Sequence, residues 1–133
     1  MNMEARDTGL RLLIVDDSAT MRAMIRRAAT LSGVPVAEIH EAENGAEALA
    51  LLERTPVDAI FTDLNMPVMG GVELLRRLSD DARWHDVARV IISTDGSDVR
   101  RRQVQGLDVC HYLSKPVRPE AVCEVLSRVI AGR

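Results

Sequence analysis

Apolar residues in this chain come in short bursts, and two kinds of burst alternate along it. Leu10–Val15 (LRLLIV) is a nearly continuous apolar run, the pattern of a strand buried on both faces of a parallel sheet. Residues 19–32 follow, with Met21, Met24, Ile25, Ala28 and Ala29 at helical spacing, and Gly33 and Pro35 end that helix. Residues 38–41 predict a short second strand. Asn44 stands three before Glu47, the form of a capping box, and opens a helix with Ala48, Leu51 and Leu52 on one face. Pro56 stops it. Ala59–Thr62 is a third strand and Gly71–Ser79 a third helix. Residues 89–93 (RVIIS) form a fourth strand, and the stretch after Gly96 a weaker fourth helix. Residues 110–113 form a fifth strand, and residues 118–131 a last helix with Val122, Val125, Leu126 and Val129 facing inward. Five successive strand–helix units predict an α/β fold, a sheet covered by helices on both faces.

Composition narrows this further. The 133 residues suit one domain, expected over 10–133, with 1–9 as a loose polar tail. Phe61, Trp84 and Tyr112 are the only aromatic residues, so the core must be aliphatic. A formal net charge of −3 is not the balance of a nucleic-acid-binding domain. Cys110 and Cys123, without a secretory signal, point to reduced, packed thiols in the cytoplasm. No run reaches the roughly 18 apolar residues of a membrane span.

The candidate chemistry lies at the ends of the predicted strands. Asp16-Asp17 follow the first strand, Asp63 the third, Ser93-Thr94 the fourth and Lys115 the fifth. In an open parallel sheet the carboxyl ends of the strands share one edge, where ligands bind, so residues a hundred positions apart converge on one crevice. Three crowded carboxylates repel one another, and Lys115 supplies only one positive charge. A hard divalent cation with oxygen ligands, such as Mg2+, fits the remainder. Metal, carboxylate, ammonium and hydroxyl together make a phosphoryl-handling site. Taken singly, each part has a plainer reading. Asp16-Asp17 and Asp63-Leu64-Asn65-Met66-Pro67 suit polar turns, Ser93 suits a helix cap, and Lys115-Pro116 suits a solvated loop. Their shared placement at strand ends favours the functional reading.

Val15-Asp16-Asp17-Ser18, Thr62-Asp63-Leu64-Asn65-Met66-Pro67 with Gly70-Gly71, Ile92-Ser93-Thr94 and Ser114-Lys115-Pro116 resemble the signature of response-regulator receiver domains. The resemblance runs over residues 10–131 and is nearest to the stand-alone, CheY-like chemotaxis type. It implies a flavodoxin-like (βα)5 doubly wound parallel sheet with strand order 2-1-3-4-5. It also implies that Asp63 accepts a phosphoryl group from a sensor histidine kinase or phosphotransfer protein. Asp17, Asp63 and the Asn65 backbone carbonyl would bind Mg2+ directly, and Asp16 through metal-bound water. Lys115 and Ser93 would bond to the phosphoryl oxygens, and Tyr112 would be an aromatic switch. Lys115-Pro116 would be a cis peptide bond. Asn65 and Asp95 would flank the path of attacking water and orient it, giving a short-lived phosphoryl group. Such a protein is not an enzyme, although it catalyses its own phosphorylation and dephosphorylation. Its partners would include a phosphatase and a downstream protein on the face of the fourth helix, fifth strand and fifth helix. Direct DNA binding and membrane binding are not expected.

Three features depart from the pattern. Thr94 stands where the family usually has a smaller residue, which would narrow access to the site. Residues 80–88, with Trp84, follow no recognisable pattern. Arg100-Arg101-Arg102 read as a partner-binding stripe or, more plainly, a solvated face. Among rival functions, a flavodoxin-type electron carrier needs a first loop that cradles phosphate, which Asp16-Asp17 oppose. A Mg2+-dependent phosphohydrolase with its nucleophile after the first strand needs D-x-D, whereas Ser18 stands at the third position. An inactive receiver used only for binding is at odds with the full acidic set. The flagellar switch, a phosphorelay intermediate role and another regulatory partner all stay open as outputs.

Overall fold

In the computed structural model, which describes residues 9–132, the five apolar runs form one parallel sheet. Its strands are β1 (Leu10–Val15), β2 (Val36–Ala42), β3 (Ala59–Thr62), β4 (Ala88–Ser93) and β5 (Val109–Ser114). They lie in the order β2-β1-β3-β4-β5, the flavodoxin-like arrangement. Between and after them run α1 (Ala19–Thr30), α2 (Gly45–Leu52), α3 (Gly71–Ser79), α4 (Asp98–Gln103) and α5 (Pro119–Ala131).

Side chains alternate faces along a strand, so each apolar run feeds two cores. Leu10, Leu12 and Ile14 join Phe61, Val90 and Ile92 beneath Ile25 and Ala29 of α1 and Val122, Val125 and Leu126 of α5. Leu13, Val15, Ile60 and Ile91 face the other way, beneath Ala48 and Leu52 of α2 and Leu74, Leu75 and Leu78 of α3. The three central strands are covered on both faces, which is why they read as unbroken apolar runs. The edge strands β2 and β5 are only partly covered and carry polar residues. The sequence pattern therefore caught only their middles, 38–41 and 110–113.

Local signals explain the helix starts. Ser18 Oγ accepts from Met21 N at 3.1 Å and caps α1. Asn44 Oδ1 accepts from Glu47 N at 2.9 Å, and Glu47 Oε1 returns to Glu43 N at 3.0 Å. The predicted capping box thus closes one residue earlier than its usual form. The fourth helix is short and buries no residue, in keeping with its weak pattern.

Residues 80–88 acquire a structural reason. A 3-10 turn over Ala82–Trp84, capped by Asp81, drops the Trp84 side chain into the core beside α2 and α3. Behind it lies Arg89, only 1% exposed although it opens an apolar run. Its Nη2 donates to Trp84 O at 2.8 Å and Leu78 O at 3.2 Å, tying the turn to the sheet.

Two expectations are corrected. Cys123 is half-buried and donates from Sγ to Ser32 O at 3.2 Å, but Cys110 is exposed, because it sits on the uncovered side of an edge strand. Residues 1–8 of the expected tail lie outside the described residues. Gly9, its last member, is buried instead, since a Cβ there would come within 2.7 Å of Ala37 N.

Candidate functional site

The strand register brings the polar ends together. Val15 pairs with Thr62, and Ser93 with Ser114, so the residues just beyond them share one edge of the sheet. Asp63 N donates to Val15 O at 3.0 Å, which seats Asp63 beside Asp16. Lys115 N donates to Ser93 O at 3.0 Å and carries the lysine in from the other side. This edge lies where the chain order reverses between β1 and β3, the expected crevice of a doubly wound sheet.

Asp16 and Asp63 are 1% and 8% exposed, whereas Asp17 is exposed. One ligand oxygen from each of Asp16, Asp17 and Asp63 can be chosen so that all lie within 4.8 Å of one another. Lys115 Nζ donates to Asp16 Oδ2 and to Asp63 Oδ2, both at 2.9 Å. Burial works against the ammonium, but bonding and attraction from Asp63 and Asp16 outweigh it and hold the Lys115 pKa above its ordinary value. Asp63 Oδ1 accepts from Leu64 N at 2.7 Å and Asn65 N at 3.4 Å. Asp16 Oδ1 accepts from Ser18 N at 2.9 Å. Both carboxylates are thus oriented from behind. The donors are hard oxygens with negative charge in excess of the ammonium, a set that fits Mg2+ and not a soft metal.

The loop after β3 is built to hold Asp63. Thr62 Oγ1 donates to Asp63 O at 2.8 Å. A Cβ on Gly71 would lie 2.1 Å from Asp63 O, so only glycine lets α3 start against that carbonyl. The Lys115-Pro116 peptide bond is cis.

On the far side, Ser93 is buried, and its Oγ accepts from Asp95 N at 3.1 Å. Thr94 is exposed. Asp95 Oδ1 accepts from Ser97 N at 3.1 Å. Tyr112 is half-buried against the α2–α3 core, and its hydroxyl donates to the Asp95 carbonyl. Burial, reinforced by the charge of Asp95, pushes its phenol pKa up.

Arginines do more here than the sequence indicated. Arg100 Nη2 donates to Asn65 Oδ1, and its Nε lies 3.5 Å from Asp95 Oδ2. Arg101 stacks its guanidinium 4.3 Å from the Tyr112 ring centroid. Of the run read as a partner-binding stripe or a solvated face, these two have partners within the protein, because α4 begins beside the site. Arg22, on α1, donates to Asp16 O at 2.6 Å and to Glu41 Oε1 at 2.8 Å. No sequence signal separates these arginines from ordinary surface cations; only the packing of α1 and α4 over the strand ends does.

The sequence profile of the response regulator receiver domain matches residues 12–127. Chemotaxis protein CheY1 of Helicobacter pylori is 34% identical over 122 residues, covering 91% of this chain and 97% of that protein. The phosphate regulon transcriptional regulatory protein PhoB of Pseudomonas aeruginosa is also 34% identical, over 92% of this chain but 52% of its own length. Among solved structures, the chemotaxis response regulator CheY4 of Vibrio cholerae superposes with a TM-score of 0.81 at 30% identity, covering 92% of this chain and 99% of that one.

Proposed function

The chain belongs to the response regulator receiver domain family, and we propose from that premise that Asp63 accepts a phosphoryl group and switches the surface presented to a partner. A phosphohistidine on a sensor histidine kinase or phosphotransfer protein is the donor. One Asp63 carboxylate oxygen attacks phosphorus, the bond from phosphorus to histidine nitrogen breaks, and the electron pair leaves with the imidazole. The observation that carries this reading is Lys115, 52 positions from Asp63 and 99 from Asp16, yet bonded to both. Its ammonium orients the Asp63 carboxylate and balances charge on the incoming phosphoryl oxygens.

Asp17, Asp63 and the Asn65 backbone carbonyl would hold Mg2+, with Asp16 outside them. Bound there, the ion would supply charge neutralisation for the phosphoryl transfer. Ser93 donates its hydroxyl to a phosphoryl oxygen after the modification. That movement releases space near Tyr112, whose ring settles deeper and reshapes the face of α4, β5 and α5. A downstream protein binds there, and a phosphatase is a further partner.

The likeness to chemotaxis proteins in sequence and fold supports a role in chemotaxis or motility, acting in the cytoplasm. Among the described residues no helix is long and apolar enough to cross a membrane. Acetyl phosphate with Mg2+ should add one phosphoryl group to the native protein, read by intact mass, and none to Asp63→Asn. Equal labelling of the two would refute the assignment, and sustained turnover of phosphate esters would favour a phosphohydrolase.

A further inference from the structure

We propose that Arg100 is a positioning residue that prolongs the phosphorylated state by occupying the side-chain acceptors that would otherwise orient attacking water. The inference rests on Asp63 being the phosphoacceptor.

Hydrolysis forms a bond from water oxygen to phosphorus. The bond from phosphorus to Asp63 breaks, its electron pair returns to the carboxylate, and inorganic phosphate leaves with the proton from water. An acceptor beside the attacking water orients it by taking a hydrogen bond from it. Asn65 and Asp95 carry such acceptors at the edge of the site. Asn65 N lies 3.4 Å from Asp63 Oδ1, and Asp95 N bonds to Ser93 Oγ at 3.1 Å. Each side chain is therefore anchored by its own backbone to one flank of the site.

Arg100 reaches both. Its Nη2 donates to Asn65 Oδ1, its Nε lies 3.5 Å from Asp95 Oδ2, and its Nη1 donates to Gln103 Oε1 at 2.7 Å. A guanidinium has donors and no acceptor, so it competes with water for these oxygens without offering a substitute. The side chain is only 24% exposed, and Arg100 N is fixed to Ser97 Oγ at 3.2 Å at the start of α4. Bonding from Ser97, with the nearby Arg100 charge, keeps the Asp95 carboxyl below its ordinary range, so it stays ionised and attractive to the guanidinium. Asn65 and Asp95 by themselves imply a short-lived phosphoryl group; Arg100 reverses that expectation.

The protein is labelled with acetyl phosphate and Mg2+, desalted, and followed by intact mass. Arg100→Ala should lose its phosphoryl group about threefold faster than native protein, or more. Arg100→Lys, which keeps a donor but not the fork, should fall between. The acceleration should shrink by at least half when Arg100→Ala is made on an Asn65→Ala background, a dependence that mere loosening of α4 would not produce. Decay of Arg100→Ala at the native rate or slower overturns the inference, as does an equal acceleration with and without Asn65. Failure of the native protein to label at all overturns the phosphoacceptor reading, and this inference with it.

Discussion

Replacing Lys115 with Met removes the ammonium that touches two nearly buried carboxylates while keeping most of its aliphatic stem. The side chains of Lys115, Asp16 and Asp63 are 13%, 2% and 10% exposed. Deleting one member of a buried ion pair costs about 3–5 kcal/mol, because the survivor keeps its desolvation cost without its partner. The exposed Asp17 beside the pair lets solvent screen part of this, so the lower end applies, about 3 kcal/mol. For a domain of this length each kcal/mol is worth roughly 3–5 °C in Tm, so metal-free Lys115→Met should melt about 10 °C below the native protein. The loss should depend on metal. Mg2+ at about a hundredfold excess over its Kd stabilises by about 2.7 kcal/mol, and a more negative cluster binds it more tightly. Lys115→Met should therefore gain more Tm from Mg2+ than the native protein does. The pH dependence has a definite sign. The folded Lys115 pKa lies above its ordinary value of 10.5, so its contribution is complete below 10.5 and fades only as pH rises through the folded value. The gap between native and variant should stay constant from about pH 6 to about pH 9. Thermal melts with and without Mg2+ across that range test this. A variant as stable as native in chelator, or one with a smaller Mg2+ response, would refute the electrostatic account.

Other perturbations probe the same site from different sides. Asp17→Ala should weaken Mg2+ binding by about tenfold or more, since a direct ligand matters at least as much as an outer-shell partner. Its metal-free Tm should hold or rise as like-charge repulsion falls, and calorimetry showing unchanged Mg2+ affinity would remove Asp17 from the ligand set. Gly71→Ala forces a Cβ to within 2.1 Å of Asp63 O. It should cost about 3 kcal/mol in urea denaturation and slow labelling of Asp63, and a variant with native stability would contradict the close approach. Beryllofluoride with Mg2+ should shift the NMR ring signals of Tyr112, the only tyrosine, as the ring moves deeper and its contact with Arg101 changes. Unmoved Tyr112 and Ser93 signals would rule out the coupling between them.

Much of this protein was legible in the order of its residues. Strands buried on both faces, such as Leu10–Val15, must be apolar at every position, and helices covering them must be apolar on one face, so the alternation of the two patterns specifies the α/β class. The acidic and basic residues of the candidate site were legible for a related reason. A parallel sheet gathers its strand ends at one edge, so Asp16, Asp17, Asp63, Ser93 and Lys115 are marked by position in the pattern as well as by type. Residues whose role depends on another element's position were not legible. Arg89 reads as a polar start to a strand, yet it is buried because the carbonyls of Leu78 and Trp84 come to meet it. Trp84 had no pattern because a single 3-10 turn has no period to detect. Arg100 and Arg101 looked like any exposed cations until α4 was set down beside Asn65, Asp95 and Tyr112. A long, flexible arginine takes its meaning from what lies within its reach, and only the tertiary structure decides what that is.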